Sequence, residues 1–181
     1  MRIITGTARG RRLKTPESYD IRPTSERVKE GLFSAIQFDI PSSAVLDLFA
    51  GSGQLGLEAA SRGAASVCFV DKLPEALGIV RENIEASGFG EICEVFSSDS
   101  LDFLQTTSRK FDIVFLDPPY QSGLLERAAK LLDERMTEKG IMLCEHDISY
   151  RIPESFGKLR LSKQYKYGKT KVSLFRMGDE L

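Results

Sequence analysis

Residues 45–60 read Val45-Leu46-Asp47-Leu48-Phe49-Ala50-Gly51-Ser52-Gly53-Gln54-Leu55-Gly56-Leu57-Glu58-Ala59-Ala60. An apolar run ends, glycines follow, and a helical pattern begins. Gly51, Gly53 and Gly56 fit G-x-G-x-x-G, and Asp71 closes the next apolar run, Val67-Cys68-Phe69-Val70. This is the signature of a nucleotide-binding βαβ unit, with Asp71 placed for ribose hydroxyls. The glycines alone do not separate NAD from S-adenosylmethionine. Asp47 helps to separate them. A pyrophosphate docked on the following helix N-terminus would be repelled by a nearby carboxylate, whereas a sulfonium and an ammonium group are attracted to one. The alternative for Asp47 is a strand-end residue bonded to loop amides, which would shape the glycine loop.

The alternation continues outward from this unit. Apolar runs near 44–49, 66–70, 91–96, 111–116 and 140–145 read as strands, and helical patterns fall near 54–62, 74–87, 100–106 and 122–136. Alternating strands and helices predict an α/β fold: a doubly wound, Rossmann-like, mostly parallel sheet with helices on both faces. Two further strands near 158–164 and 170–176 flank Tyr167-Gly168 and add a C-terminal antiparallel hairpin. Before the glycine unit, Val28, Leu32, Phe33 and Ile36 recur at helical spacing, with Thr24 or Ser25 as N-cap and Pro41 as terminator. Residues 1–24 form a short basic N-terminal extension that begins strand-like at Arg2-Ile3-Ile4 and passes into a basic loop or hairpin. At 181 residues, the reading is a single domain over 1–181.

Seventy residues beyond Asp47, the run Phe111 to Leu116 ends in Asp117-Pro118-Pro119-Tyr120. The Asp117 carboxylate and the Pro118 carbonyl can accept both hydrogens of an exocyclic amine. The prolines fix the backbone and donate nothing that competes, and Tyr120 can stack on a base. The alternative is a turn that merely ends a strand. The tetrapeptide looks like that of amino-group methyltransferases, which act on adenine, cytosine or guanine amines or on a glutamine side chain. A third cofactor candidate is Asp99, at the end of the third strand, where it can accept the adenine amino group or cap the following helix.

Composition narrows the field. The hydrophobic share of 41% and charged share of 28% are those of a globular chain, and no apolar stretch reaches membrane-spanning length. Cys68, Cys93 and Cys144 each fall in an expected strand without a C-x-x-C pair, which suits core thiols in a reducing, cytoplasmic setting. The single histidine, His146, cannot build a His-rich metal site and reads as a loop residue near a strand end, so no metal is expected. The net charge of −1 hides an asymmetry. Residues 1–29 carry a balance of +5 and residues 158–176 one of +7, while residues 30–157 carry −11. Basic ends interleaved with Gly, Tyr and Thr suggest a polyanionic partner. Arg9, Arg11, Arg12 and Lys14, with Lys166, Tyr167 and Lys169, are the candidate RNA contacts.

The chain closely resembles the bacterial 16S rRNA guanine-N2-methyltransferases of the RsmD family over nearly its whole length. The resemblance rests on Met1-Arg2-Ile3-Ile4, Thr7-Ala8-Arg9-Gly10-Arg11-Arg12-Leu13, Arg22-Pro23-Thr24-Ser25-Glu26-Arg27-Val28, the Asp47 to Gly56 loop, Asp117-Pro118-Pro119-Tyr120 and Tyr167-Gly168-Lys169-Thr170. The Arg-Gly-Arg-Arg-Leu and Arg-Pro-Thr-Ser segments are the family-specific ones. The resemblance implies S-adenosylmethionine as donor and the N2 amine of a 16S rRNA guanine, guanine 966, as acceptor. It also implies presentation of the rRNA in the 30S subunit or an assembly intermediate, with the enzyme a monomer and no membrane involved. By position, Asp117, Pro118, Pro119 and Tyr120 hold the base, and Asp47, Gly51, Gly53, Asp71 and Asp99 line the cofactor. Arg22 and Thr24 close over the cofactor's methionine end or serve simply as helix-start residues.

Three rivals stand beside this reading. A DNA adenine-N6 methyltransferase would use the same tetrapeptide, but the chain has little room for a DNA-recognition domain. An idle RNA-binding scaffold would not need an intact glycine loop and platform. An NAD-dependent dehydrogenase leaves Asp-Pro-Pro-Tyr unexplained.

Overall fold

The computed structural model describes residues 1–16, 25–119 and 123–178. One eight-stranded sheet carries the molecule. Its strands are β1 (Ala44–Leu48), β2 (Ser66–Asp71), β3 (Cys93–Ser97), β4 (Phe111–Leu116), β5 (Met136–Asp147), β6 (Ser155–Phe156), β7 (Leu159–Tyr167) and β8 (Thr170–Met177). The order across the sheet is β3-β2-β1-β4-β5-β8-β7-β6. The first five strands are parallel, and β8, β7 and β6 continue antiparallel. The expected doubly wound sheet with an antiparallel tail is present.

Side-chain alternation sorts the strands onto two helical layers. Val45, Val67, Phe69, Ile113, Phe115, Ile141 and Leu143 pack toward α1 (Glu26–Ala35), α2 (Gln54–Ser61) and α3 (Pro74–Ser87). Leu46, Leu48, Cys68, Val70, Val114, Leu116 and Cys144 face α4 (Ser100–Thr106) and α5 (Leu124–Leu132). The central strands are buried on both faces, as parallel strands with helical crossovers must be.

Local chemistry sets the helix starts. Ser25 caps α1 by accepting from the Val28 amide at 3.3 Å. Pro74 opens α3 at a position whose amide has no helical partner in any case. Val28, Leu32, Phe33 and Ile36 are all buried, as their spacing predicts.

Three boundaries differ from expectation. The fifth helix ends at Leu132, and β5 already begins at Met136. Residues 133–139 contain no glycine or proline to mark the change, and the strand is set by pairing of Met136 with Phe111. A two-residue strand, β6, precedes the final hairpin. His146 is not a loop residue: it lies within β5, 2% exposed, with Nε2 2.8 Å from Ser173 Oγ and Nδ1 2.9 Å from the Asp147 carbonyl. Burial lowers its proton affinity and makes it a neutral strand residue.

The N-terminal extension is a short hairpin laid against α2. Arg2 and Arg12 bridge antiparallel, and Ile3 donates to Arg11 O at 2.9 Å. The anchor is Glu58 of α2, which is fully buried. Its carboxylate accepts from the Ile4 amide (2.8 Å), the Thr5 amide (3.0 Å) and Arg62 Nε (2.9 Å), and pairs with Lys29 Nζ at 3.3 Å. Lys29 Nζ also donates to Arg2 O at 2.6 Å. A buried carboxylate surrounded by donors on every side is the arrangement in which burying charge is least costly.

Candidate active site

The glycine loop and the Asp-Pro-Pro turn leave adjacent strands. Asp47 of β1 is in register with Phe115 of β4, so both turns emerge side by side at the carboxyl edge of the sheet. That edge is where open α/β sheets bind ligands.

Gly53 caps α2 with φ of 75°, a left-handed conformation that favours glycine. Gly56 is needed for a different reason: a Cβ there would sit 2.3 Å from Phe69 Cε1, so its absence lets α2 lie close on β2. Asp47 is 3% exposed, and its Oδ2 accepts from the Gly56 amide at 2.8 Å. Asp71 braces the same loop, with Oδ2 accepting from Gly51 N (2.9 Å) and Oδ1 from Leu73 N (3.0 Å). Both acids therefore shape the loop. Asp99 is the N-cap of α4, accepting from Leu101 N at 2.9 Å and Asp102 N at 3.4 Å. Asp99 thus fills the capping role. Arg22, Thr24 and Tyr120 lie outside the described residues.

Electrostatics mark this edge. Burial pushes the Asp47 carboxyl up to about 7, against the opposing pull of the Gly56 amide and with a further push from Asp71. Asp117 is pushed well above the carboxylate range by burial first, then by Glu145 and Asp47. Carboxyls that resist ionisation beside one another require a cation or N–H donors to become fully charged. Pro118 is buried and Pro119 exposed, so the turn presents one solvent-facing rim over an apolar seat.

Two residues at this edge escaped the sequence reading. Gln54, the first residue of α2, is 9% exposed and its Oε1 has no hydrogen-bond partner among the described residues. Glu145 sits near the end of β5, one position beyond the Leu116–Cys144 pair, beside Asp117. Gln54 had a signal, being a polar residue in an otherwise apolar helix start. Glu145 had none without the strand register.

The basic candidates divide into two groups. Arg9, Arg11 and Arg12 are exposed on the N-terminal hairpin, whose turn is fixed to the far end of α2 by Thr7 N to Ser61 O (2.8 Å) and Ala8 N to Ser61 Oγ (3.0 Å). Lys14 is exposed but paired with Glu82. Lys166 and Lys169 are exposed on the β7–β8 hairpin. Its tip lies at the carboxyl edge of the parallel strands, since Asp147 pairs with Thr170 and Ile148 N donates to Lys169 O at 2.9 Å. Tyr167 is half-buried, and its hydroxyl lies so close to α1 that a Cβ on Gly31 would come within 1.8 Å of it. Its ring is a packing element between the hairpin and α1. Among the described residues, no helix is long and apolar enough to cross a membrane.

A parallel sheet with an antiparallel tail, a glycine loop after β1 and Asp-Pro-Pro after its neighbour β4 define a Rossmann-like methyltransferase fold. Known proteins agree. The chain belongs to the family described as "Conserved hypothetical protein 95", which matches residues 1–176. It is 33% identical over 178 residues to the Ribosomal RNA small subunit methyltransferase D of Escherichia coli strain K12, covering 97% of this chain and 89% of that one. Identity to the protein of the same name from Haemophilus influenzae is 43% over 137 residues, covering 74% and 71%. A solved Escherichia coli chain superposes with a TM-score of 0.90 at 30% identity, covering 99% of both.

Proposed function

We propose that this chain methylates the exocyclic N2 of a guanine in 16S rRNA, guanine 966 in the family's terms, within the small subunit or its assembly intermediate, with S-adenosylmethionine as donor. The observation that carries the reading is the pairing of β1 with β4, which sets a cation-seeking cofactor crevice beside an amine-accepting turn.

The residues fit the cofactor. Asp47 is a buried carboxylate whose ionisation calls for a nearby cation, and Gln54 Oε1 is a buried acceptor with no donor among the described residues. A Cβ on Gly51 would meet nothing within 4 Å, so the loop's outer side is open. Asp47, Gly51, Gly53, Asp71 and Asp99 would hold it, with Arg22 and Thr24 from the segment outside the described residues. When bound, S-adenosylmethionine supplies an electrophilic methyl group on a sulfonium centre.

The chain's own residues do the rest. Asp117 and the Pro118 carbonyl accept the two N2 hydrogens and turn the nitrogen lone pair outward. Transfer would exchange the donor's sulfur–methyl bond for a new N–C bond at N2 and leave a neutral thioether; the positive charge would pass to N2, and one N2 proton would go to the Asp117 carboxylate and then to water. A carboxylate whose proton affinity is already raised is suited to take it. The target must leave any stack to reach this turn, and Tyr120 would receive its face. Positioning and fixed charge account for the acceleration. Arg9, Arg11, Arg12, Lys166 and Lys169 would engage phosphates, and the enzyme would act as a cytoplasmic monomer.

The test is transfer of labelled methyl from S-adenosylmethionine to small-subunit particles lacking the modification, with naked rRNA and DNA in parallel. Mass spectrometry then identifies the product. N2-methylguanosine at one site is expected. N6-methyladenine in DNA, or no transfer to any substrate, would overturn the reading.

A further inference from the structure

Asn83 of α3 is 1% exposed and joins two segments that are distant in sequence. Its Oδ1 accepts from the Lys14 amide at 2.8 Å, and its Nδ2 donates to the Lys14 carbonyl at 3.0 Å. Nδ2 also donates to the Ser52 carbonyl at 3.0 Å. Backbone carbonyls only accept and a backbone N–H only donates, so these partners fix which way round the side-chain amide sits. Lys14 leaves the N-terminal hairpin directly after Leu13, whose amide donates to Met1 O at 3.0 Å. Ser52 lies between Gly51 and Gly53 in the glycine loop. One buried amide therefore holds both segments. A weaker contact joins the same two: Ser52 Oγ lies 3.8 Å from Met1 Sδ.

The hold on Ser52 matters because of its neighbours. Gly51 and Gly53 have φ of 55° and 75°, and glycine accepts positive and negative φ about equally. The Ser52–Gly53 peptide can therefore turn over at little steric cost. It is fixed at both ends, by Asn83 on the Ser52 carbonyl and by the Ala50 carbonyl, which accepts from Gly53 N at 2.7 Å. The Gly51 and Gly56 amides are held by Asp71 and Asp47, from the ends of β2 and β1. Those acids tie the loop to the sheet. Asn83 ties it to the hairpin that carries the exposed Arg9, Arg11 and Arg12.

We propose that Asn83 is a positioning residue for methyl transfer: it holds the Ser52–Gly53 peptide of the cofactor loop from the RNA-binding hairpin, so that cofactor and RNA each strengthen the binding of the other. This rests on the reading above, in which the loop takes S-adenosylmethionine and the hairpin takes rRNA. Asn83 acts through Ser52 and Lys14 rather than on either ligand. Phosphates on the arginines hold the hairpin down, which keeps Lys14 on Asn83 and the side-chain amide turned toward Ser52. A cofactor lying on the loop holds Ser52, which keeps the same amide turned toward Lys14. Each ligand lowers the ordering cost of the other, and the coupling is equal in both directions.

The test uses the full-length chain and Asn83→Asp. An ionised aspartate of the same shape keeps an acceptor for the Lys14 amide and has no hydrogen to give Ser52. Asn83→Ala cuts both sides of the junction and serves as the second variant. The ligand is S-adenosylhomocysteine, the donor without its methyl. In wild type it should slow exchange of the Lys14 amide by about fivefold or more beyond any slowing at Thr7, whose amide is held by Ser61 O at 2.8 Å. In Asn83→Asp the two amides should slow alike. By filter binding, the ligand should tighten wild type on small-subunit particles about fivefold or more, and either variant by less than about twofold. At saturating particles, Asn83→Asp should raise KM for S-adenosylmethionine about fivefold, the scale of one lost hydrogen bond, with kcat within about twofold. A purely structural role would lower the melting temperature and leave these ligand responses in place.

A wild-type Lys14 amide indifferent to the ligand would overturn the proposal even if neither variant folds, and so would equal responses in wild type and Asn83→Asp. Wild type that binds no S-adenosylmethionine would instead remove the functional reading beneath it.

Discussion

The Gly56 amide donates to Oδ2 of Asp47 across 2.8 Å, and Asp47 is only 3% exposed. One backbone N–H is poor compensation for a buried carboxylate. The consequence is a folded-state carboxyl at about 7 rather than the ordinary 3.8. The folded protein then holds this proton more tightly than the unfolded chain. Stability from this group is fully present below pH 3.8 and is lost as pH rises through about 7. Asp47→Asn keeps an acceptor for Gly56 and removes the charge. The cofactor-free variant should melt higher than wild type at pH 8 and close to it at pH 4, by about 2–4 °C per kcal/mol relieved. It should also bind S-adenosylmethionine more weakly. Thermal melts across pH and calorimetry check both; a melting difference that does not grow with pH would sink the argument.

Asp117 has the complementary role. It lies beyond β4 at the turn rather than under the glycine loop, so its removal leaves the cofactor crevice standing. Asp117→Ala should lower kcat by about a hundredfold or more, the scale of losing a positioned acid–base group, while cofactor affinity stays within about twofold. Because the reacting form is the carboxylate, and burial with Glu145 and Asp47 raises its proton affinity, wild-type kcat/KM should climb with pH through neutrality. Retained turnover in the variant, or a profile flat from pH 6 to 9, would remove the assignment.

The parts of this molecule legible in sequence are those written in local order. The glycine loop, the caps at Ser25 and Asp99 and the alternation of strand and helix follow from period and punctuation, and β1–β4 adjacency followed from doubly wound logic. What was not legible depends on pairing between distant segments. The start of β5 is set by Phe111 across the sheet, so residues 133–139 looked like a continuing helix. Glu145 acquires meaning only through the register that sets it beside Asp117. Tyr167 read as a nucleic-acid contact because it sits among lysines; that its hydroxyl also lies against Gly31 of α1 depends on the packing of distant segments. Glu58 looked like an ordinary helix glutamate until the N-terminal amides came to it.

Glu58 is the residue that joins the extension to the cofactor helix, and its loss should be felt as stability before activity. Glu58→Ala would leave Lys29, 0% exposed, with the Arg2 carbonyl and only the weaker pull of Glu26, which itself pairs with Arg2. Breaking a buried pair from one side costs about 3–5 kcal/mol. Lys29→Met should cost less, because Glu58 keeps Arg62 and the two amides. Paired denaturant titrations should rank Glu58→Ala well below Lys29→Met, with amide exchange at Ile4 and Thr5 accelerated most in the former. Equal destabilisation by the two would mean that the amide contacts contribute nothing.

The two basic groups should separate in their effects on RNA. Arg9, Arg11 and Arg12 stand on a hairpin fixed to the Ser61 end of α2, whereas Lys166 and Lys169 flank the catalytic edge. Each phosphate contact contributes a slope of about 0.7–0.9 to the dependence of log affinity on log salt. Replacing the three arginines with glutamine should weaken binding at low salt and flatten that slope by about 2–3, with kcat on saturating particles little changed because the methyl-transfer edge is intact. Replacing Lys166 and Lys169 should flatten it less and also lower kcat, since contacts beside the reacting base orient it as well as hold it. Filter binding from about 50 to 200 mM salt, read against single-turnover rates on the same particles, tests the division. An unchanged slope in the triple arginine variant would place the RNA elsewhere on the surface.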